Sequence, residues 1–156
     1  MRHRFAVLVA VTSILTVVSP VSAGPSHSAS NDWGFVRHEL WAEPLASFIA
    51  DTKHPDTWFD WSTDGCSAPL LGGHGATYDF RDPCRRHDFG YRNLRLLERR
   101  YGTGRTYWNA DVRRLVDRQF LVDMMGSCRH RSIFIRSICS LWAHIYYFAV
   151  RAFGGP

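Results

Sequence analysis

From Trp33 to Ala50, apolar side chains recur every three or four residues, at Phe35, Val36, Leu40, Trp41, Leu45, Phe48 and Ile49. That spacing predicts helix. Pro44 divides it in two, because its ring removes a backbone donor and crowds the preceding turn. Residues 54–83 show neither helical nor alternating periodicity, and they hold several glycines and aspartates. An irregular stretch of that length in a compact domain is functional or tied down.

Regular pattern returns near Asp82, a residue type that suits an N-cap, with Pro83 in the first helical position. The predicted helix runs to about Arg100, where "YGTGR" ends it through glycine. A second is predicted from near Asn109 to Gly126, with Val112, Leu115, Val116, Phe120 and Met124 as its apolar stripe. After a loop between Cys128 and Cys139, "LWAHIYYFAVRAF" forms a last helix, stopped by Gly154, Gly155 and Pro156. This helix is apolar almost all round and shorter than a membrane span. It is therefore expected in the core, with a position flat in a membrane interface as the alternative. No internal repeat or alternating strand pattern competes with the helices, so the fold class expected is all-α.

The first residues bear on the compartment. Arg2 and Arg4 precede an apolar run from Phe5 to Val18, and "SPVSAGP" follows with small residues at Val21 and Ala23. That layout predicts a secretory signal peptide over 1–23, since the run is too short for a membrane anchor. Residues 24–32 read as a loose mature N-terminus, and 33–156 as one domain. Its four cysteines, Cys66, Cys84, Cys128 and Cys139, are an even count in a small exported chain, which predicts two disulfides. Three pairings are possible, of which the local one, Cys66–Cys84 with Cys128–Cys139, is expected. A zinc site is the rival, but it lacks a second Cys-x-x-Cys or Cys-x-x-His spacing.

The net charge of +5 falls to +3 once Arg2 and Arg4 leave. The remaining cations are scattered arginines with Lys53, and no basic patch is interleaved with stacking aromatics. No nucleic-acid partner is expected, only a mild attraction to anionic surfaces.

The chemistry gathers at "CRRHDFGYRN", residues 84–93. Neighbours on a helix point about 100° apart, so His87 and Asp88 look to different partners. His87 shares a face with Tyr91, Leu94 and Glu98, the face that meets another helix. Asp88 looks toward the loop "WSTDGCS". With Cys66 bonded to Cys84, Asp64 and Gly65 come within about a turn of Asp88. Two adjacent carboxylates need a proton or a cation. Neither has an obvious basic partner, and Asp64, Asp88, the Gly65 carbonyl and waters form a hard oxygen set suited to Ca²⁺. A basic His87 needs an acceptor to fix its tautomer. Asp117, mid-helix among apolar residues, is the expected partner, and Asp123 is the alternative. Tyr91 is either core or a hydrogen-bonding member of the site. Trp58, Phe59 and Trp61 read as packed inside rather than lipid-facing.

"FDWSTDGCS", "PCRRHDFGYRN" and "DRQFLVDM" together resemble the secreted phospholipase A2 family of bacteria and fungi, closely from Trp58 to Cys128 and more loosely in the closing "YYFAVRAFG". The resemblance implies a calcium-dependent hydrolase of the sn-2 acyl ester of glycerophospholipids. His87 would be its catalytic histidine and Asp117 the aspartate that holds it. Asp64, Gly65 and Asp88 would bind calcium, and disulfide pairing would be local. The implied partner is a phospholipid membrane or micelle surface, met by a monomer. The reading from another class is a non-catalytic lipid-binding or membrane-damaging protein on the same scaffold. No Gly-x-Ser-x-Gly stretch offers a serine nucleophile instead.

Overall fold

The computed structural model describes residues 26–66 and 72–154. The expected signal peptide lies outside the described residues. Among the described residues there are five α-helices: α1 (Ala29–Arg37), α2 (Leu45–Asp51), α3 (Arg81–Tyr101), α4 (Ala110–Arg129) and α5 (Ile133–Phe153). A π-helical turn, His38–Ala42, extends α1, and Pro44 sits at the N-cap of α2, where the sequence breaks the run. Among the described residues no strand forms beyond one isolated bridge, His74 to Asp79.

Three boundaries differ from expectation, each for a local reason. Helix α1 starts at Ala29, inside the segment expected to be loose. Ser28 caps it by accepting from the Asn31 amide, and Asp32 is buried within it. At α3 the N-cap is Phe80 rather than Asp82, which falls in the first turn and faces the positive end of the helix dipole. Helix α5 begins eight residues before Leu141, at Ile133, so the stretch expected as a loop is mostly helix.

The environment of α5 is also corrected. Its buried residues are Cys139, Ala143 and Tyr146. Phe134, Leu141, Phe148 and Phe153 are exposed. At 21 residues it is long and apolar enough to cross a membrane by length and composition, which the shorter expected helix was not.

The long helices position the site. Helix α4 packs against both α3 and α5. A core cluster of Phe80, Cys84, Phe120, Met124, Cys128, Cys139, Ala143 and Tyr146 joins α4 to α5 and the start of α3. A second, with Val36, Leu40, Phe48, Phe59, Phe89, Leu94, Leu97 and Val116, joins α3 to the N-terminal helices. Gly90 permits the close approach. A Cβ there would stand 2.8 Å from Leu40 Cδ2 and 2.9 Å from Val116 Cγ1. Both disulfides take the expected local pairing, Cys66–Cys84 and Cys128–Cys139, with Cα separations of 5.5 and 5.7 Å.

Candidate active site

His87 and Asp117 face each other across the α3–α4 contact. The ring Nε2 of His87 lies 2.9 Å from Asp117 Oδ1, and Asp117 is fully buried. The imidazole is wedged between the rings of Tyr91 and Phe120, at centroid distances of 4.4 and 4.6 Å. These two ring contacts limit its rotation.

Asp117 accepts more than the histidine. Tyr91 donates its hydroxyl to Oδ1 at 2.7 Å, Arg151 donates Nη1 to Oδ2 at 2.7 Å, and Arg113 Nε stands 3.7 Å from Oδ2. Burial pushes the Asp117 carboxyl toward its neutral form. Hydrogen bonds from His87, Tyr91 and Arg151 outweigh that, and they hold it below the usual carboxylate range. An ionised Asp117 can only accept, so Nε2 of His87 carries the hydrogen and Nδ1 is left to take a proton. Tyr91 is thus a member of the site. Burial, followed by its bond to Asp117, pushes its phenol well above the usual tyrosine range.

Asp123, the alternative partner for His87, is engaged elsewhere. Arg86 binds it through Nε and Nη2 at 2.9 and 2.6 Å, and Gln119 donates to it at 3.0 Å. Arg86 and Asp123 are both nearly fully buried, so this pair satisfies itself.

One residue further along α3, Asp88 meets the loop held by Cys66–Cys84. Its Oδ2 accepts from the Thr63 hydroxyl at 2.5 Å and from the Asp64 amide at 3.1 Å. Gly65 has φ +70°, a left-handed backbone that glycine adopts without strain, and Cys66 follows at +61°. The Gly65 carbonyl oxygen lies so near Gly73 that a Cβ there would be 2.9 Å away. Contrary to expectation, Asp64 has a basic neighbour, since Arg92 Nη2 stands 3.7 Å from its Oδ2 with both side chains part-exposed.

These residues fit a hard cation. Burial first, and the nearby Asp64 carboxylate with it, push the Asp88 carboxyl above its ordinary range against the opposing hydrogen bond from Thr63. A divalent ion would relieve that cost. Among the described residues no group of three or more His, Cys, Asp or Glu side chains converges on one point. Carbonyl and water oxygens would complete such a shell, which is how Ca²⁺ is commonly held.

Two contributors escape a reading of the sequence. Asn93, fully buried on α3, accepts from the Asp60 amide at 2.8 Å and donates to the Asp60 carbonyl at 2.7 Å. It pins the chain that leads into Thr63 and Asp64. Its place in "CRRHDFGYRN" is the only signal of this. Arg151 comes from the far end of α5, and nothing in the spacing points to it. Of the aromatic residues expected inside, Phe59 and Trp61 pack while Trp58 stays exposed at the surface. Phe59 is buried, and Trp58 stacks on His27 at 4.2 Å while donating to Asp32 at 2.7 Å.

Comparison with known proteins agrees in one direction. The family described as prokaryotic phospholipase A2 matches residues 37–154. A secretory phospholipase A2 of Beauveria bassiana (strain ARSEF 2860) is 36% identical over 118 residues, covering 74% of this chain and 55% of that protein. Another from Arthroderma benhamiae (strain ATCC MYA-4681 / CBS 112371) is 38% identical over 98 residues, covering 61% and 60%. The chain thus spans little more than half the length of the curated relatives it matches.

Proposed function

The chain belongs to the prokaryotic phospholipase A2 family, and from that membership and the arrangement at His87 we propose that it is a secreted, calcium-dependent phospholipase A2 acting on the sn-2 acyl ester of glycerophospholipids. The observation that carries the reading is the buried His87–Asp117 pair, one residue along α3 from Asp88 and the Asp64 loop. Two disulfides and relatives named secretory support export.

In this mechanism His87 is the general base. Nδ1 takes a proton from a water as that water attacks the ester carbonyl, a role that needs the other nitrogen committed elsewhere. Asp117 holds Nε2–H and stabilises the imidazolium that forms. Tyr91 and Arg151 keep Asp117 ionised and still. The imidazolium then returns its proton to the departing glycerol oxygen, so fatty acid and lysophospholipid leave and His87 is restored. Asp64, Asp88 and the Gly65 carbonyl are the groups that would hold Ca²⁺. When bound, the ion supplies positive charge for the lipid phosphate and for the oxygen of the reacting carbonyl.

The test is hydrolysis of a phospholipid labelled in its sn-2 chain, in mixed micelles with calcium or with a chelator. Labelled fatty acid should appear with calcium and stop with chelator. No release of the sn-2 label, or release indifferent to the chelator, would overturn the reading.

A further inference from the structure

The outer side of α5 has no role in the site, and it is apolar along its length. Phe134, Ile138, Leu141, Ile145 and Phe148 follow at intervals of four, three, four and three residues, so they form one stripe. Phe134, Leu141 and Phe148 are 84, 61 and 65% exposed, and Ile138 and Ile145 are also open to solvent. A contiguous face of this kind marks a surface that docks on something.

The inner side of the helix restricts what that can be. Cys139, Ala143 and Tyr146 are buried, Cys139 is bonded to Cys128 of α4, and Arg151 binds Asp117. A helix fastened to the domain along one side cannot thread a bilayer, although its length and composition would allow it. It can lie flat in the interface.

Charge distinguishes the remaining occupants. From Met124 to Gly154 there is no aspartate or glutamate, whereas Arg129, Arg131 and Arg136 fall in that stretch along with Arg151, whose charge Asp117 answers. A second copy of the chain laid on the stripe would bring arginines against arginines, with no carboxylate on either α5 to answer them. An anionic lipid surface offers the opposite charge together with an apolar layer for the stripe. We propose that the outer face of α5 docks the protein on an anionic phospholipid bilayer, its apolar stripe at the headgroup boundary and the arginines at its N-terminal end, Arg129, Arg131 and Arg136, toward the lipid phosphates. This deepens the phospholipase reading, on which it rests for the substrate, by naming the surface on which the protein meets it.

The test uses His87→Gln protein, which leaves the lipid intact, and the same protein carrying Leu141→Ser and Phe148→Ser. Each is sedimented with vesicles of phosphatidylcholine alone or of phosphatidylcholine with phosphatidylglycerol. The parent should bind the anionic vesicles preferentially, and high salt should weaken that binding. The two serines should weaken it by at least about tenfold. With His87 intact, the Leu141→Ser/Phe148→Ser protein should still cleave a short-chain phosphatidylcholine below its micelle concentration at the wild-type rate. Equal vesicle binding with and without the serines would overturn the proposal. So would loss of short-chain cleavage in the serine variant alone, or a dimer of the parent that the serines dissolve. If the wild-type protein never cleaves the short-chain lipid yet binding falls as stated, the phospholipase reading fails and the docking surface stands.

Discussion

Arg151, three residues from the last described residue, donates to Asp117 at 2.7 Å, on the carboxylate oxygen opposite the one that faces His87. The last helix is thereby part of the candidate active site. Arg113 strengthens the join, since its Nη2 donates to the carbonyls of Val150 and Arg151 at 2.9 and 2.7 Å.

Removing that contact should slow the chemistry more than it weakens binding. Arg151→Ala should lower kcat on the order of tenfold with a smaller change in KM, because Asp117 then holds the imidazole less firmly. Arg151→Lys should recover part of the loss. Steady-state kinetics on mixed micelles checks this, and an unchanged kcat in Arg151→Ala would limit the residue to the fold.

Asp88→Asn and Asp64→Asn should each reduce calcium affinity steeply while far-ultraviolet circular dichroism stays unchanged, since each removes a charge that a hard cation needs. Isothermal titration with Ca²⁺ decides it. Wild-type affinity in either variant would remove that residue from the site.

Asn93→Ala removes two bonds to Asp60 and one to the Phe89 carbonyl at 2.9 Å. It should cost about 1–3 kcal/mol in denaturant unfolding, with the Asp60 backbone groups released to water or left unpaired. Calcium binding should weaken as well, because Asn93 pins the chain that reaches Asp64. A variant of normal stability and normal calcium affinity would contradict this role.

Glu39 gives a pH dependence of stability. It is buried, and its Oε2 has no hydrogen-bond partner among the described residues. Burial, and then the Asp51 carboxylate, raise it from 4.5 to about 7. A carboxyl raised on folding favours the folded state fully below its unfolded value, and the benefit disappears as pH climbs through the folded one. Stability from this group should therefore decline between about pH 4.5 and 7. Glu39→Gln should melt about 5 °C above the parent at pH 8 and level with it near pH 4.5. Parallel melting curves at both pH values would contradict the assignment.

Legibility in the sequence follows the range of each interaction. Helix α3 announces itself through Pro83 and its periodicity, and α4 through Asn109, whose side chain does accept from the Asp111 and Val112 amides. The facing of His87 and Asp117 is legible because a carboxylate among apolar positions demands a partner. Arg151 is not, since its contact spans 34 residues and depends on how α5 packs. The exposure of α5 is hidden for a different reason. The apolar stripe from Phe134 to Phe148 is the side that periodicity assigns to the core, and packing leaves that side exposed. Asn93 stands in the motif, but its bonds to Asp60, 33 residues away, form only once the loop has folded back.

The central claim is that His87 is the base and Asp117 its holder. Turnover on mixed micelles at saturating calcium, across pH, for wild type, His87→Ala, Asp117→Asn and Asp123→Asn tests it most directly. His87→Ala should lose on the order of 10²–10⁴ in rate while titrating calcium normally, and Asp117→Asn should lose kcat with its fold intact. An active His87→Ala protein, or a full-speed Asp117→Asn beside a folded but slow Asp123→Asn, would contradict it.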